Sequence, residues 1–225
     1  GALLSVWGTS VILMRMAGTI ASRNGALFAA LLSITWLNLA GGEGGQGPVF
    51  YNFLIIAAMS LVLFRVVLPG PSGKILRNTG NLTMLLVWLA LQIKYSAVFE
   101  GLFLGIFLLY CHVRAGTRAS VIIVDGFLWC LMALLPTFIV AGAYYAGGHG
   151  QEWLFANADS IFLRGKRTAA TLRENQARLL LLTLPLIVPA MVGCSYRLKF
   201  TTTEAPTART FNFLILWAVS ARIGV

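Results

Sequence analysis

The sequence predicts an all-α membrane protein: a polytopic integral membrane helical bundle of about five transmembrane helices plus one basic interfacial helix. Three observations predict it. Hydrophobic residues make up 58% of the 225-residue chain and charged residues only 11%, whereas a soluble domain carries roughly 25% charged residues. Apolar runs of helical length recur between short basic or Gly/Pro-rich breaks. Strand-like alternation is absent, which argues against a β-barrel. The length suits a single membrane domain over residues 1–225, without a soluble one.

The elements follow in order. Gly1 to Ile20 is apolar but broken by Arg15, so it is either the end of a span or a helix lying in the interface. The first predicted span is 26–42. The GGEGGQGP run at Gly41–Pro48 ends it, because five glycines and a proline cannot hold a helix. The second span is 49–68, with Arg65 near its end and Pro69 to Gly73 as its stop. Lys74, Arg77 and Asn78 then form a basic loop. Next comes 81–111, followed by 119–145, which carries Asp125 near its start and Pro136, a kink-former, in its middle. Residues 151–178 are the longest polar stretch. Ile161 to Arg178 reads as an amphipathic helix whose Arg164, Lys166, Arg167, Arg173 and Arg178 meet anionic lipid head groups. The last spans are 179–196 and 211–225. The chain opens on Gly and not Met, so either a leader has been removed or the true start lies upstream, and the apolar ends leave the helix count open at both termini.

The stretch 81–111 poses the sharpest question. It is apolar for 31 residues apart from Gln92, Lys94, Glu100 and a few small polar groups. One straight helix of that length reaches about 46 Å, against a hydrocarbon core of roughly 30 Å, so it must tilt or protrude. The alternative is a hairpin turning near Lys94 to Ser96. Its arms of about 14 residues would reach only about 21 Å, and no Gly or Pro stands at the turn. The single long helix is therefore expected. Counting basic residues on each side does not separate the two, since both give ten against five.

Lys94 and Glu100 are the best candidates for chemistry, because a charge at mid-membrane costs about 2.5–3.5 kcal/mol unless it is partnered. Six residues apart, they do not form the usual helical i,i+4 pair. Arg65 can serve Glu100, and Asp125 can serve Lys94, from other helices. A structural ion pair between helices or subunits is the preferred reading, and a proton or ion path is the other. Gly101 and Gly105 form a GxxxG that suits close helix packing. The cysteines Cys111, Cys130 and Cys194 read as buried small hydrophobes. His112 and His149 stand at segment ends, which disfavours a haem or a histidine metal site. No hydrolase, zincin or nucleotide-loop motif is present.

The expected function is therefore a non-enzymatic integral subunit of a larger membrane complex, of an energy-coupling or a secretion type, in a bacterial or mitochondrial inner membrane. Its expected partners are other membrane subunits and anionic lipids. Nucleic acid, metal and cofactor are not expected, although the net charge is +10. The alternative is a small ion- or proton-coupled transporter or channel, with Lys94, Glu100 and Asp125 lining the path.

Overall fold

The structure, a computed structural model, describes residues 1–39, 46–159, 169–200 and 205–221. It is all-α: the described elements are helices, and no strand occurs among them. They are α1 (Ala2–Ala17), α2 (Arg23–Leu39), α3 (Gly47–Val62, continued by a π-turn at Leu63–Val67), α4 (Gly73–Ile93), α5 (Ala97–Arg114), α6 (Ala119–Ala146), α7 (Gly150–Leu154, followed by a π-turn at Phe155–Asp159), α8 (Ala169–Phe200) and α9 (Ala205–Ala221). Segments 47–67, 97–114, 119–146 and 173–193 are long and apolar enough to cross a membrane. The chain divides into two compact units, Gly1–Ile139 with Glu204–Val225, and Val140–Thr203.

The single long helix expected over 81–111 is not what forms. Helix α4 ends at Ile93, and Lys94 takes an extended conformation, φ −151° and ψ 117°. Helix α5 starts again at Ala97 and packs back against α4. No glycine is needed, because one extended residue redirects the chain and 3₁₀-type bonds refill the donors: Ala97 N–H to the Lys94 carbonyl, and Val98 N–H to that of Tyr95. The arms are also longer than the apolar run suggested. Helix α4 recruits the polar stretch from Gly73 onward, giving 21 residues or about 31 Å, and α5 has 18 residues or about 27 Å. Each arm is long enough to span.

Other boundaries move less. Residues 40–42 of the first span lie outside the described residues, and α2 begins earlier, at Arg23. Pro136 sits inside an unbroken α6. The basic interfacial helix is not a separate element over its described part. Residues 169–178 are the opening turns of α8, continuous with the apolar run, so Arg173 and Arg178 stand exposed on one long helix. Arg164, Lys166 and Arg167 lie outside the described residues.

In the first unit, side-chain contacts fix how the helices run. Ser10 on α1 meets Ser33 on α2 at 3.2 Å. Lys94, just past α4, lies over the ring of Tyr51 near the start of α3, 5.0 Å from its centroid. Arg77 and Asp125 join the early turns of α4 and α6, and Gln92 donates to Thr137 farther along both. Arg209 donates to the Leu68 carbonyl, and Phe213 packs on Phe103 and Phe107. Helices α1, α3 and α5 therefore run one way, and α2, α4, α6 and α9 the other. Their shared core is mostly aliphatic, with Met59, Val62, Leu63, Val66, Leu76, Leu104 and Leu108 fully buried beside Trp129 and Phe213. Gly80 lets the Trp129 indole press against the α4 backbone, where a Cβ would overlap the ring.

In the second unit, α6 ends on Gly148 at φ +81°, in a left-handed turn closed by His149 N–H on the Tyr144 carbonyl. His149 and Glu152 approach to 3.9 Å, both largely exposed, a contact worth little in water.

The hairpin settles the charge distribution of the first unit. Among the described residues, Arg15, Arg23, Arg65, Lys74, Arg77, Arg114, Arg118 and Arg209 all fall at one end of its helices, and Lys94 alone at the other. By the positive-inside bias, the arginine-rich end is expected to face the cytoplasm. With the native cysteines replaced, Ser96→Cys should react with an impermeant maleimide added outside intact cells, and Thr117→Cys only after the membrane is broken. The reverse pattern would overturn this orientation.

Candidate functional site

Among the described residues, the densest buried polar cluster joins α4, α5 and α6 at the arginine-rich end. Asp125 lies in the second turn of α6 with no exposed surface. Arg77, in the second turn of α4, donates from Nε to its Oδ1 at 2.6 Å. The guanidinium stays half-exposed, its side chain 46% accessible, so water reaches one side of the pair and not the other. The opposite carboxylate oxygen, Oδ2, faces His112 Nε2 at 3.4 Å. That is near enough for attraction, but the two atoms do not reach hydrogen-bond geometry.

His112 is held from its other side by the end of its own helix. Helix α5 closes in a Schellman motif: Gly116 adopts φ +67°, its N–H bonds the Val113 carbonyl, and Thr117 N–H bonds the His112 carbonyl. This turn brings Thr117 Oγ1 to 3.2 Å from His112 Nδ1. The indole of Trp129 covers the imidazole at 5.7 Å between ring centres and donates its N–H to Asn81 Oδ1 at 3.1 Å. Three helices thus share one network, and each buried charge or donor in it has a neighbour of complementary kind.

The expected site residues are not brought together. Asp125 pairs with Arg77 and not with Lys94, which stands at the hairpin turn on the opposite end of the bundle. Lys94 is exposed, so its depth at mid-membrane was a consequence of the single-helix reading and goes with it. Arg65 is exposed on the π-turn that ends α3, while Glu100 sits in the first turn of α5, at the far end. The pairing of those two is therefore excluded by position. Gly101 is buried against Val87, and Gly105 would place a Cβ 3.5 Å from Met84, so this small-residue face receives α4 of the same chain. Cys111 is buried as expected, whereas Cys130 is exposed.

Glu100 has its own setting. It lines a cavity of about 490 Å³ with residues of α1, α2, α3 and α9, among them Ser10, Ser33, Trp36, Asn52 and Trp217. Its Oε2 and the Trp36 indole nitrogen are both buried without a hydrogen-bond partner among the described residues. Position in the first turn of α5 gives the carboxylate some favourable field from the helix N-terminus.

Sequence reasoning missed Arg77, His112, Thr117, Asn81 and Trp129 as members of one network. The usable signal was depth. Arg77 and Asp125 lie at similar distances into helices that enter from the same end, once α4 is begun at Gly73. No group of three or more His, Cys, Asp or Glu able to hold a metal occurs among the described residues. Comparison with protein families, with curated proteins and with solved structures gave no match.

The pair should respond asymmetrically to substitution. Arg77→Met strands a carboxylate that water cannot reach, and is expected to destabilise by about 3 kcal/mol, the low end for breaking a buried pair. Asp125→Asn leaves an arginine that water already solvates, and should cost about 1 kcal/mol. Thermal unfolding of the detergent-solubilised protein, followed by circular dichroism, measures both. Equal losses would mean that the carboxylate is wetter than its burial implies.

Proposed function

We propose that this chain is a non-enzymatic integral subunit of a larger membrane assembly. The observation that carries the reading is the use made of its ionisable groups. Asp125, Arg77 and His112 tie three helices together at one end, and Lys94 and Glu100 stand near the other. No line of charged side chains runs between them among the described residues, which favours a scaffold over an ion path. Helix α6 adds to this. It has 28 residues, of which only Asp125, Trp129 and Ala133 are buried, so its broad apolar face is free to meet lipid or neighbouring helices.

The membrane proposed is a bacterial or mitochondrial inner membrane, where energy-coupling and secretion complexes employ subunits of this kind. The exposed Arg173 and Arg178, with the arginine-rich end of the first unit, suit anionic head groups there. One observation favours the transporter alternative: Glu100 lines a cavity large enough for a small solute.

Affinity purification of the tagged chain from its native membrane in a mild detergent tests the proposal. Unrelated chains are expected to co-purify in a fixed ratio. A lone monomer or homo-oligomer that moves ions when placed in liposomes would overturn the subunit reading.

A further inference from the structure

Helices α1, α2, α3, α5 and α9 leave a cavity of about 490 Å³ in the half of the first unit nearest the Lys94 turn. Its wall is largely aliphatic, from Val6, Leu13, Leu37, Val49, Ile55 and Ile56. Two polar atoms in that wall lack what they need. Among the described residues, Glu100 Oε2 is an acceptor with no donor, and Trp36 Nε1 is a donor with no acceptor. Leaving either one unmatched is costly away from water. Lys94, the basic side chain at this end of the first unit among the described residues, does not relieve the carboxylate, since it turns to Tyr51 and no ion pair joins it to Glu100 among those residues.

The missing group therefore has a definite character. It brings a positively charged donor for Glu100, an oxygen acceptor for the Trp36 N–H, and apolar mass for the walls. A bare divalent ion does not match. Hard cations take six or more oxygens, and this wall offers one carboxylate, the Asn52 amide and hydroxyls of which Ser10 and Ser33 already bond each other. An organic ammonium ion does match. Its charge meets the carboxylate, and the Trp36 and Trp217 indoles line the same space with aromatic surface that attracts cations.

We propose that this cavity binds an organic ammonium compound carrying an adjacent oxygen acceptor, with Glu100 as counter-ion and Trp36 as donor to the oxygen. The same chemistry occurs in a free amino alcohol and in the ethanolamine head group of a phospholipid. The site does not depend on whether the chain belongs to a larger assembly.

Calorimetric titration of the delipidated full chain in maltoside detergent tests both sources. For the free amine the probe is 2-amino-1-phenylethanol, against 1-phenylpropan-1-ol, in which a methyl replaces the ammonium. For the lipid it is dihexanoyl phosphatidylethanolamine, against dihexanoyl phosphatidylglycerol. Saturable binding of either ammonium probe is expected, with its ammonium-free analogue weaker by about tenfold or more. Glu100→Gln should weaken the ammonium probe by a similar factor, and Trp36→Phe, which keeps an aromatic face but removes the N–H, by several-fold. Which probe binds identifies the source. Should Glu100→Gln not fold, Leu37→Trp fills the cavity and must abolish binding. Equal binding of a probe and its analogue, an undiminished Glu100→Gln, or no binding of either ammonium probe would overturn the proposal.

Discussion

A carboxylate with no exposed surface must find a cation, and the packing of α4, α5 and α6 is arranged around that requirement. Asp125 is reached by Arg77 only because α4 begins eight residues before the apolar run and because α6 enters the bundle from the same end. Both conditions require α4 and α5 to fold as an antiparallel hairpin. Had 81–111 been one helix, α6 would enter from the opposite end and Asp125 would lie far from Arg77. The ion pair, the turn at Lys94 and the alternation of helix direction are one constraint expressed three times.

The energetics follow from where the charges sit. Arg77 keeps half of its side chain in contact with solvent, so the pair gives up the hydration of one partner and only part of the other's. That eases the desolvation problem of a buried pair without removing the attraction. The same economy holds for the rest of the first unit. Arg15, Arg23, Arg65, Lys74, Arg114, Arg118 and Arg209 lie at helix ends or loops, where long side chains reach head groups. The interior is left to aliphatic contacts and to a few close approaches, such as Gly80 beneath Trp129 and Gly101 against Val87.

Glu100 stands apart from this order. It is half-buried in the first turn of α5, near the end where Lys94 stands exposed, and among the described residues no cation is paired with it as Arg77 is with Asp125. One oxygen is buried without a partner among the described residues, in the wall of a cavity between five helices. Asp125 in the same unit receives a donor from Arg77 on Oδ1, while its Oδ2 meets only the His112 ring at 3.4 Å. Glu100 Oε2 has no charged neighbour of this kind among the described residues, and it is the acid that faces a cavity.

By itself the sequence determined the solvent and the class of fold. An apolar fraction of 58% with so few charges requires lipid around the helices, and the Gly/Pro breaks and basic loops mark most helix ends to within a few residues. Those properties are local, written in composition and in the cost of leaving backbone groups unbonded in hydrocarbon. What the sequence did not determine was the turn at Lys94, made by one residue in an extended conformation with no glycine to announce it, or the start of α4 inside a stretch that reads as a basic loop. Nor did it determine which residues meet. Arg77 and Asp125 are 48 positions apart, and Glu100 and Trp36 line the same cavity from separate helices. Contacts of that kind depend on helix direction and depth, and those are decided only when the helices pack.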